Sequence, residues 1–450
     1  MDDSTTDSSH LLSRLEDILD SDPQIDEVGF IHPTQFTALA KEVHSSPSSS
    51  SGGGPQMEDK ITKPKPVRDG SYDAFFWHRL EHKLGISTLV LFPLYLAARN
   101  AFMDAYRRYL MLNESQLKKD AILDINASCV TSLLDVVESE VMKHSRSLLL
   151  LSCDFGTAWN SRKSIVSKKQ LVPMFMDELV LSALVLSYSP KSERAWSHRR
   201  WVIKMIAGKC ANLQEIVGRE SELVKTLAEK SKMNYRAWNH RCWLVSYMSN
   251  SQVLLELQSS KDWAGLHVAD NSCFHYRARL LLELMESTRQ NKDPTGLSGE
   301  EFHRMWKEEL DWVETLIRRY VGREALWLHR RFLSLTWVKQ HLAVDDDQSS
   351  ISSCHSCCTS CDINIFIKKE LMLLYSCVNF PDDVDDDFGD YRAQATYAAT
   401  YIAWLAKKMP VAFGVELRRN SQYEGRLKIL FEGAGKSCLW NSMAASCGII

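Results

Sequence analysis

The sequence has almost no net charge: 54 Lys and Arg stand against 57 Asp and Glu, leaving −3 over 450 residues. The basic residues are spread among the acidic ones, so the electrostatic footprint of a nucleic-acid binder is missing. No apolar run reaches the ~20 residues that span a bilayer. The most apolar stretch, Leu84 to Ala98, is about 15 residues long, contains Pro93 and reads as a buried helix. The opening MDDSTTDSSH is acidic and polar, with neither the basic start nor the apolar run of a secretory signal. The twelve cysteines therefore read as free thiols in a reducing compartment, and the expected location is the cytoplasm. No segment alternates with the period of a strand, which points to an all-α fold.

What is present is organised in blocks. A short amphipathic pattern runs through Leu11, Leu12, Leu15, Ile18 and Leu19, followed over 45–70 by a flexible Ser/Gly/Pro linker that completes an N-terminal region 1–70. Residues 71–150 read as an N-terminal helical region, 151–342 as a tract of repeats and 343–362 as a disordered Cys-rich insertion. C-terminal helices are expected over 363–410 and a tail over 411–450.

Thirteen Trp is a high count, and several of them are periodic. Five segments align as Trp159-Asn-Ser-Arg162, Trp196-Ser-His-Arg199, Trp238-Asn-His-Arg241, Tyr276-Arg-Ala-Arg279 and Trp327-Leu-His-Arg330. The aromatic positions are 37, 42, 38 and 51 residues apart, the period of stacked helix pairs with one insertion. Within each copy the aromatic and the Arg share one helical face. Ser192 and Asn234 precede their motifs where a helix cap belongs. Ahead of the fifth copy, Trp306, Leu310, Val313 and Ile317 mark a second amphipathic helix. The expected architecture is a right-handed superhelical solenoid of antiparallel helix pairs. The motif Trp and Arg residues read mainly as structural, filling volume and pairing at helix ends.

Other motifs weigh less. Cys354-His-Ser-Cys357-Cys358-Thr-Ser-Cys361 crowds its thiols into one polar segment, without the intervening loop that closes a zinc tetrahedron. Asp382-Asp-Val-Asp-Asp386 fits the acidic motif of isoprenoid synthases, but Pro381 and Gly389 place it in a loop. Gly435-Lys-Ser437 has Leu430 where a phosphate-binding loop needs glycine. Cys447-Gly-Ile-Ile450 has the outline of a prenylation box without an upstream basic cluster. The sequence has no dispersed Asp/Cys/His set that forms a catalytic zinc site.

The segments Asn234-Tyr-Arg-Ala-Trp-Asn-His-Arg-Cys-Trp243 and Pro190-Lys-Ser-Glu-Arg-Ala-Trp-Ser-His-Arg-Arg-Trp201 closely resemble the alpha-subunit repeats of protein farnesyl- and geranylgeranyltransferases. The resemblance covers about Cys153–Trp337. The stretch from Lys261 to Arg277 looks like a narrower branch, the repeat-containing alpha subunits assigned to a third type of geranylgeranyltransferase. It implies an enzyme subunit active only with a beta subunit, one shared with Rab geranylgeranyltransferase. No cofactor is then expected in this chain, with zinc in the partner. The implied substrates are geranylgeranyl diphosphate and proteins with a C-terminal Cys, an already farnesylated SNARE among them. The family places a Lys beside the diphosphate five residues before a motif Trp, which is Lys191 here. Asn234, Tyr235 and Arg236 match the substrate- or partner-facing edge of the next repeat. The chain departs from the farnesyltransferase pattern at Glu193, where a Tyr is found two residues after that Lys. A non-catalytic helical-repeat scaffold is the alternative, and an isoprenoid synthase a third reading.

Overall fold

The computed structural model describes residues 3–35, 75–79, 82–119, 127–290, 298–342, 355–377 and 388–449. The expected linker over 45–70 and the acidic Asp382–Asp386 motif lie outside them. The chain divides into two compact units, Met1–Leu213 with Glu222–Ala237, and Gln214–Ser221 with Trp238–Ile450. The boundary falls inside the tract expected to be one repeat domain.

The first unit opens with helix α1 (Asp3–Ser21), whose Leu11, Leu12, Leu15, Ile18 and Leu19 are all buried. Three short strands follow, correcting the expectation that no strand would form: β1 (Glu27–Ile31), β2 (Phe76–Arg79) and β3 (Lys83–Ser87). β3 lies in the middle, parallel to β1 and antiparallel to β2. The apolar stretch read as one buried helix is thus strand up to Ser87, then a turn, and helix only from Leu91. Gly85 lets Ile31 pack onto the strand, since a Cβ there would lie 2.3 Å from the Ile31 Cδ1 atom. Helix α2 (Leu91–Lys119) starts only two residues before Pro93, in the first turn, where the missing N–H costs nothing.

From there the chain is helix pairs. In the first unit these are α3 (Ala127–Leu151) with α4 (Gly156–Lys169), and α5 (Val172–Tyr188) with α6 (Glu193–Ile206). The third pair, α7 (Leu213–Lys230) and α8 (Tyr235–Leu244), is shared between the units. The second unit continues with α9 (Asn250–Leu266) and α10 (Asn271–Gln290), α11 (Gly299–Arg319) and α12 (Glu324–Leu342), and α13 (His355–Tyr375) and α14 (Phe388–Lys408). Local chemistry sets the starts. Ser249 with Gln252, and Ser298 with Glu301, form reciprocal capping boxes, while Ser192 accepts from the backbone N–H of Ala195. Trp306, Leu310, Val313 and Ile317 are buried on α11 as their spacing requires. The fold is an all-α repeat solenoid, with the small sheet as its only strands among the described residues.

Two further expectations need correction. The segment 343–362 is not disordered throughout, because α13 begins at His355 and carries Cys357, Cys358 and Cys361. Residues 411–450 are not a tail. They form α15 (Pro410–Arg419), α16 (Ser421–Gly433) and α17 (Ser437–Ser446), which bury Phe413, Leu417, Leu427, Phe431, Trp440 and Met443. Their apolar residues recur at helical spacing through a polar-looking sequence. Cys447 is buried, and its carbonyl accepts from the Arg418 guanidinium at 3.3 Å.

Candidate functional site

The second helix of each pair carries the repeat motif, and two regions meet on it: a buried layer behind it and an edge of turns ahead of it. The motif residues form the buried layer. Trp159, Trp196, Trp238 and Trp327, with Arg162, Arg199, Arg241 and Arg330, are each at most 4% exposed. A first helix supplies a Glu to the layer, and the residue 20 positions later on the second helix donates to it. His198 pairs with Glu178 at 2.7 Å, His240 with Glu220 at 3.1 Å, Tyr276 with Glu256 at 2.5 Å and His329 with Glu309 at 3.0 Å, every pair separated by 20 residues. The same Glu is held from the other side by the motif Arg of the preceding copy. Arg162 binds Glu178 through two nitrogens, Arg241 binds Glu256, Arg277 binds Glu309 through two nitrogens and Arg330 binds Glu370. Glu370 also accepts from Tyr401 at 2.8 Å, extending the series to α13 and α14.

This geometry corrects the alignment of the fourth copy. Arg277, not Arg279, is the buried Arg: it donates to the Leu257 carbonyl and to Ser260, as Arg199 does to the Leu179 carbonyl and Ser182. Arg279 is 41% exposed and faces Glu283 one turn on. Tyr276 stands where the other copies have His, and Phe274 takes the place of the Trp, packing on His329 at 5.3 Å as Trp159 packs on His198 at 4.5 Å. Sequence alignment matched aromatic to Trp; the Glu at a spacing of 20 was the signal that would have set the register.

Burial alone would raise the carboxyls of Glu178 and Glu309. The Arg162 charge with the His198 hydrogen bond, and the Arg277 charge with that of His329, outweigh it and hold both at about 2. Burial pushes His198 and His329 below their usual value despite the carboxylate each faces. At Glu178 and Glu309 the layer therefore sets a neutral His donor on an ionised Glu that the Arg of the preceding copy neutralises.

The edge ahead of the motif helices differs. The turn Ser189–Ser192 is closed by the Ser192 N–H donating to the Ser189 carbonyl at 3.0 Å. The Pro190 carbonyl accepts from the Trp196 indole at 3.0 Å and from the Asn234 amide at 2.8 Å. Asn234 also caps α8, accepting from the Ala237 N–H at 3.3 Å. Asn234 is 1% exposed, so it departs from the expected partner-facing role and fixes this turn instead. Lys191 is exposed on the turn, and among the described residues it makes no ion pair. The carboxylate of Glu193 is shared by Arg200 at 2.9 Å and by Arg236. Tyr235 is 61% exposed and lies under the Arg236 guanidinium at 5.4 Å.

The second unit contains a cleft of about 290 Å³ between α9 and α11, rimmed by Lys261, Glu301, Arg304 and Glu308, with the Arg277–Glu309 pair at its floor. Among the described residues no group of three His, Cys, Asp or Glu side chains could hold a metal ion, and no helix is long and apolar enough to cross a membrane.

Comparison with known proteins follows the same helix pairs. The family of the protein prenyltransferase alpha subunit repeat matches residues 175–206, 218–248 and 306–337, the pairs that carry Glu178, Glu220 and Glu309. A Danio rerio protein, protein prenyltransferase alpha subunit repeat-containing protein 1, is 30% identical over 283 residues, 50% of this chain and 66% of its own. The Homo sapiens protein of the same name is 30% identical over 277 residues, 49% of this chain and 68% of its own. The matched part of the chain thus spans about two thirds of the length of these relatives. The alpha subunit of geranylgeranyl transferase type-2 from Mus musculus is 22% identical over 232 residues, 49% of this chain and 39% of its own.

Proposed function

The chain belongs to the protein prenyltransferase alpha subunit repeat family, and from that membership we propose that it is the alpha subunit of a heterodimeric protein geranylgeranyltransferase. The reaction is thioether formation: the Sγ of a substrate-protein Cys bonds to C1 of the geranylgeranyl group, the C1–O bond breaks and diphosphate leaves. The partner is a beta subunit, the one shared with Rab geranylgeranyltransferase, acting in the cytoplasm. Zinc belongs to that partner and lowers the pKa of the attacking thiol. Protein substrates carry a C-terminal Cys, with an already farnesylated SNARE as one class.

One observation carries the reading. Lys191 is held outward on a turn braced by two consecutive copies, and its only neighbouring anion in sequence, Glu193, is already matched by Arg200 and Arg236. A free cation fixed there offsets the charge that builds on a departing diphosphate. Tyr235 and Arg236 line the same edge and serve the partner or substrate.

Co-expression with that beta subunit, followed by transfer of labelled geranylgeranyl to protein Cys, tests the proposal. Co-purification and transfer are expected, and Lys191→Ala is expected to slow transfer at least tenfold with the heterodimer intact. A complex that never transfers would favour the second reading, a non-catalytic helical-repeat scaffold, which Glu193 in place of an aromatic supports. Absence of both complex and transfer would overturn the proposal.

A further inference from the structure

One step before the braced turn, the first unit holds two cations without a counter-charge. Arg194, on the first turn of α6, lays its guanidinium against the start of α4. A Cβ at Gly156 would lie 2.7 Å from the Arg194 Nη1 atom and 3.0 Å from its Cζ, so the guanidinium rests directly on the helix start there. Lys163, two turns along α4, is half-buried and reaches over the Trp201 ring, its Nζ 5.8 Å from the centroid. Burial and the Arg194 charge both push the Lys163 ammonium below its usual value. Among the described residues neither cation forms an ion pair, Asp154 at the same end of α4 included. The N-terminus of α4 adds positive potential on the same side, with no side-chain cap and no acidic residue in its first turn.

The next step along the repeat shows what balances such a pair of cations. There Arg200 and Arg236 converge on Glu193, and the charge is matched within the chain. Between α4 and α6 the corresponding anion is missing. Arg194 is exposed, but Lys163 is half-buried beside it, and a half-buried ammonium next to a like charge is raised in energy unless an opposite charge arrives. An aromatic ring under the Lys163 ammonium, with the Arg194 guanidinium close enough to act on it, suits a planar carboxylate.

We propose that the surface where Arg194 and Lys163 meet, between α4 and α6, is a docking site for a carboxylate side chain of the partner subunit, held by these two cations beside Trp201. The proposal rests on the reading of this chain as one subunit of a heterodimer. The carboxylate completes the charge pattern that Glu193 completes one repeat later, and it adds a salt-sensitive contact separate from Lys191.

The test compares wild type with the double variant Lys163→Met/Arg194→Gln, both checked for an unchanged thermal midpoint without ligand. Binding to the beta subunit shared with Rab geranylgeranyltransferase is measured by titration calorimetry across a salt series. The expected result is at least a tenfold weaker complex for the variant and a shallower salt dependence. Equal affinity and equal salt dependence would overturn the site and leave the proposed function standing. A second arm needs no partner: glutarate, and separately inorganic phosphate, are added to the chain alone. Stabilisation by glutarate in wild type but not in the variant supports the site even if wild type fails to bind that beta subunit, which would count against the proposed function only. Stabilisation by phosphate and not glutarate, or by neither, overturns it.

Discussion

The buried layer behind the motif helices and the edge of turns ahead of them obey different rules. In the layer, position and charge repeat: a Glu on the first helix, a donor 20 residues later and an Arg from the previous copy. His gives way to Tyr at Tyr276, yet the hydrogen bond to Glu persists. Along the edge almost nothing repeats. One copy presents Gly156 beneath Arg194, the next Lys191 beside a neutralised Glu193, and the next a left-handed Met233 at φ 56° followed by an exposed Tyr235. A buried ion must be matched wherever it occurs, so the layer tolerates only equivalent donors. Solvent imposes no such demand on the edge, which is free to diversify for binding.

Acid should break this contrast most strongly, because it reaches the Glu178 and Glu309 relays together. The His198 and His329 values lie below 6.5 in the folded chain, and Glu178 and Glu309 lie at about 2 against an ordinary 4.5. All four are depressed on folding, so the unfolded chain binds more protons as pH falls. Stability should be full above about pH 6.5, decline below it and drop more steeply through 4.5, as followed by urea unfolding at stepped pH. A flat profile down to pH 4 would mean the relays are not ionised as described.

Next in size, Glu309→Ala leaves Arg277 buried without its carboxylate and should cost about 3–5 kcal/mol in equilibrium unfolding. The register of the fourth copy is sharpened by a pair of variants. Arg277→Met should destabilise by about 3 kcal/mol, whereas Arg279→Met should stay within about 0.5 kcal/mol. Equal costs would restore the alignment on Tyr276 and Arg279. Smallest of all, Lys191→Ala should leave the unfolding free energy within about 0.5 kcal/mol, since that side chain is exposed. A large loss there would place Lys191 in the buried layer rather than on the edge.

Much of the layer was legible beforehand, because periodic Trp and Arg survive as a pattern on one helical face. Its acidic half was not. Glu178, Glu220 and Glu309 sit on the first helices among many surface acids, and only packing separates a buried Glu from a solvated one. The fourth copy misled for the same reason, since two Arg residues flank Ala278 and sequence alone cannot say which turns inward. The strands were missed because β2 and β3 are four and five residues long, too short for alternation to register, and are held by pairing across a gap in sequence.

By itself, then, the sequence determined that this chain is built of repeated helix pairs, and it located the turns where Lys191, Glu193 and Tyr235 stand. Those follow from local periodicity and capping, which a linear string records. Only the tertiary structure decided which charges are matched. It spent Glu193 on Arg200 and Arg236, buried Asn234 as a brace, exchanged Arg279 for Arg277 and left Lys163 and Arg194 facing each other unmatched. Charge pairing depends on distances between residues far apart in the chain, and those distances exist only once the helices are packed.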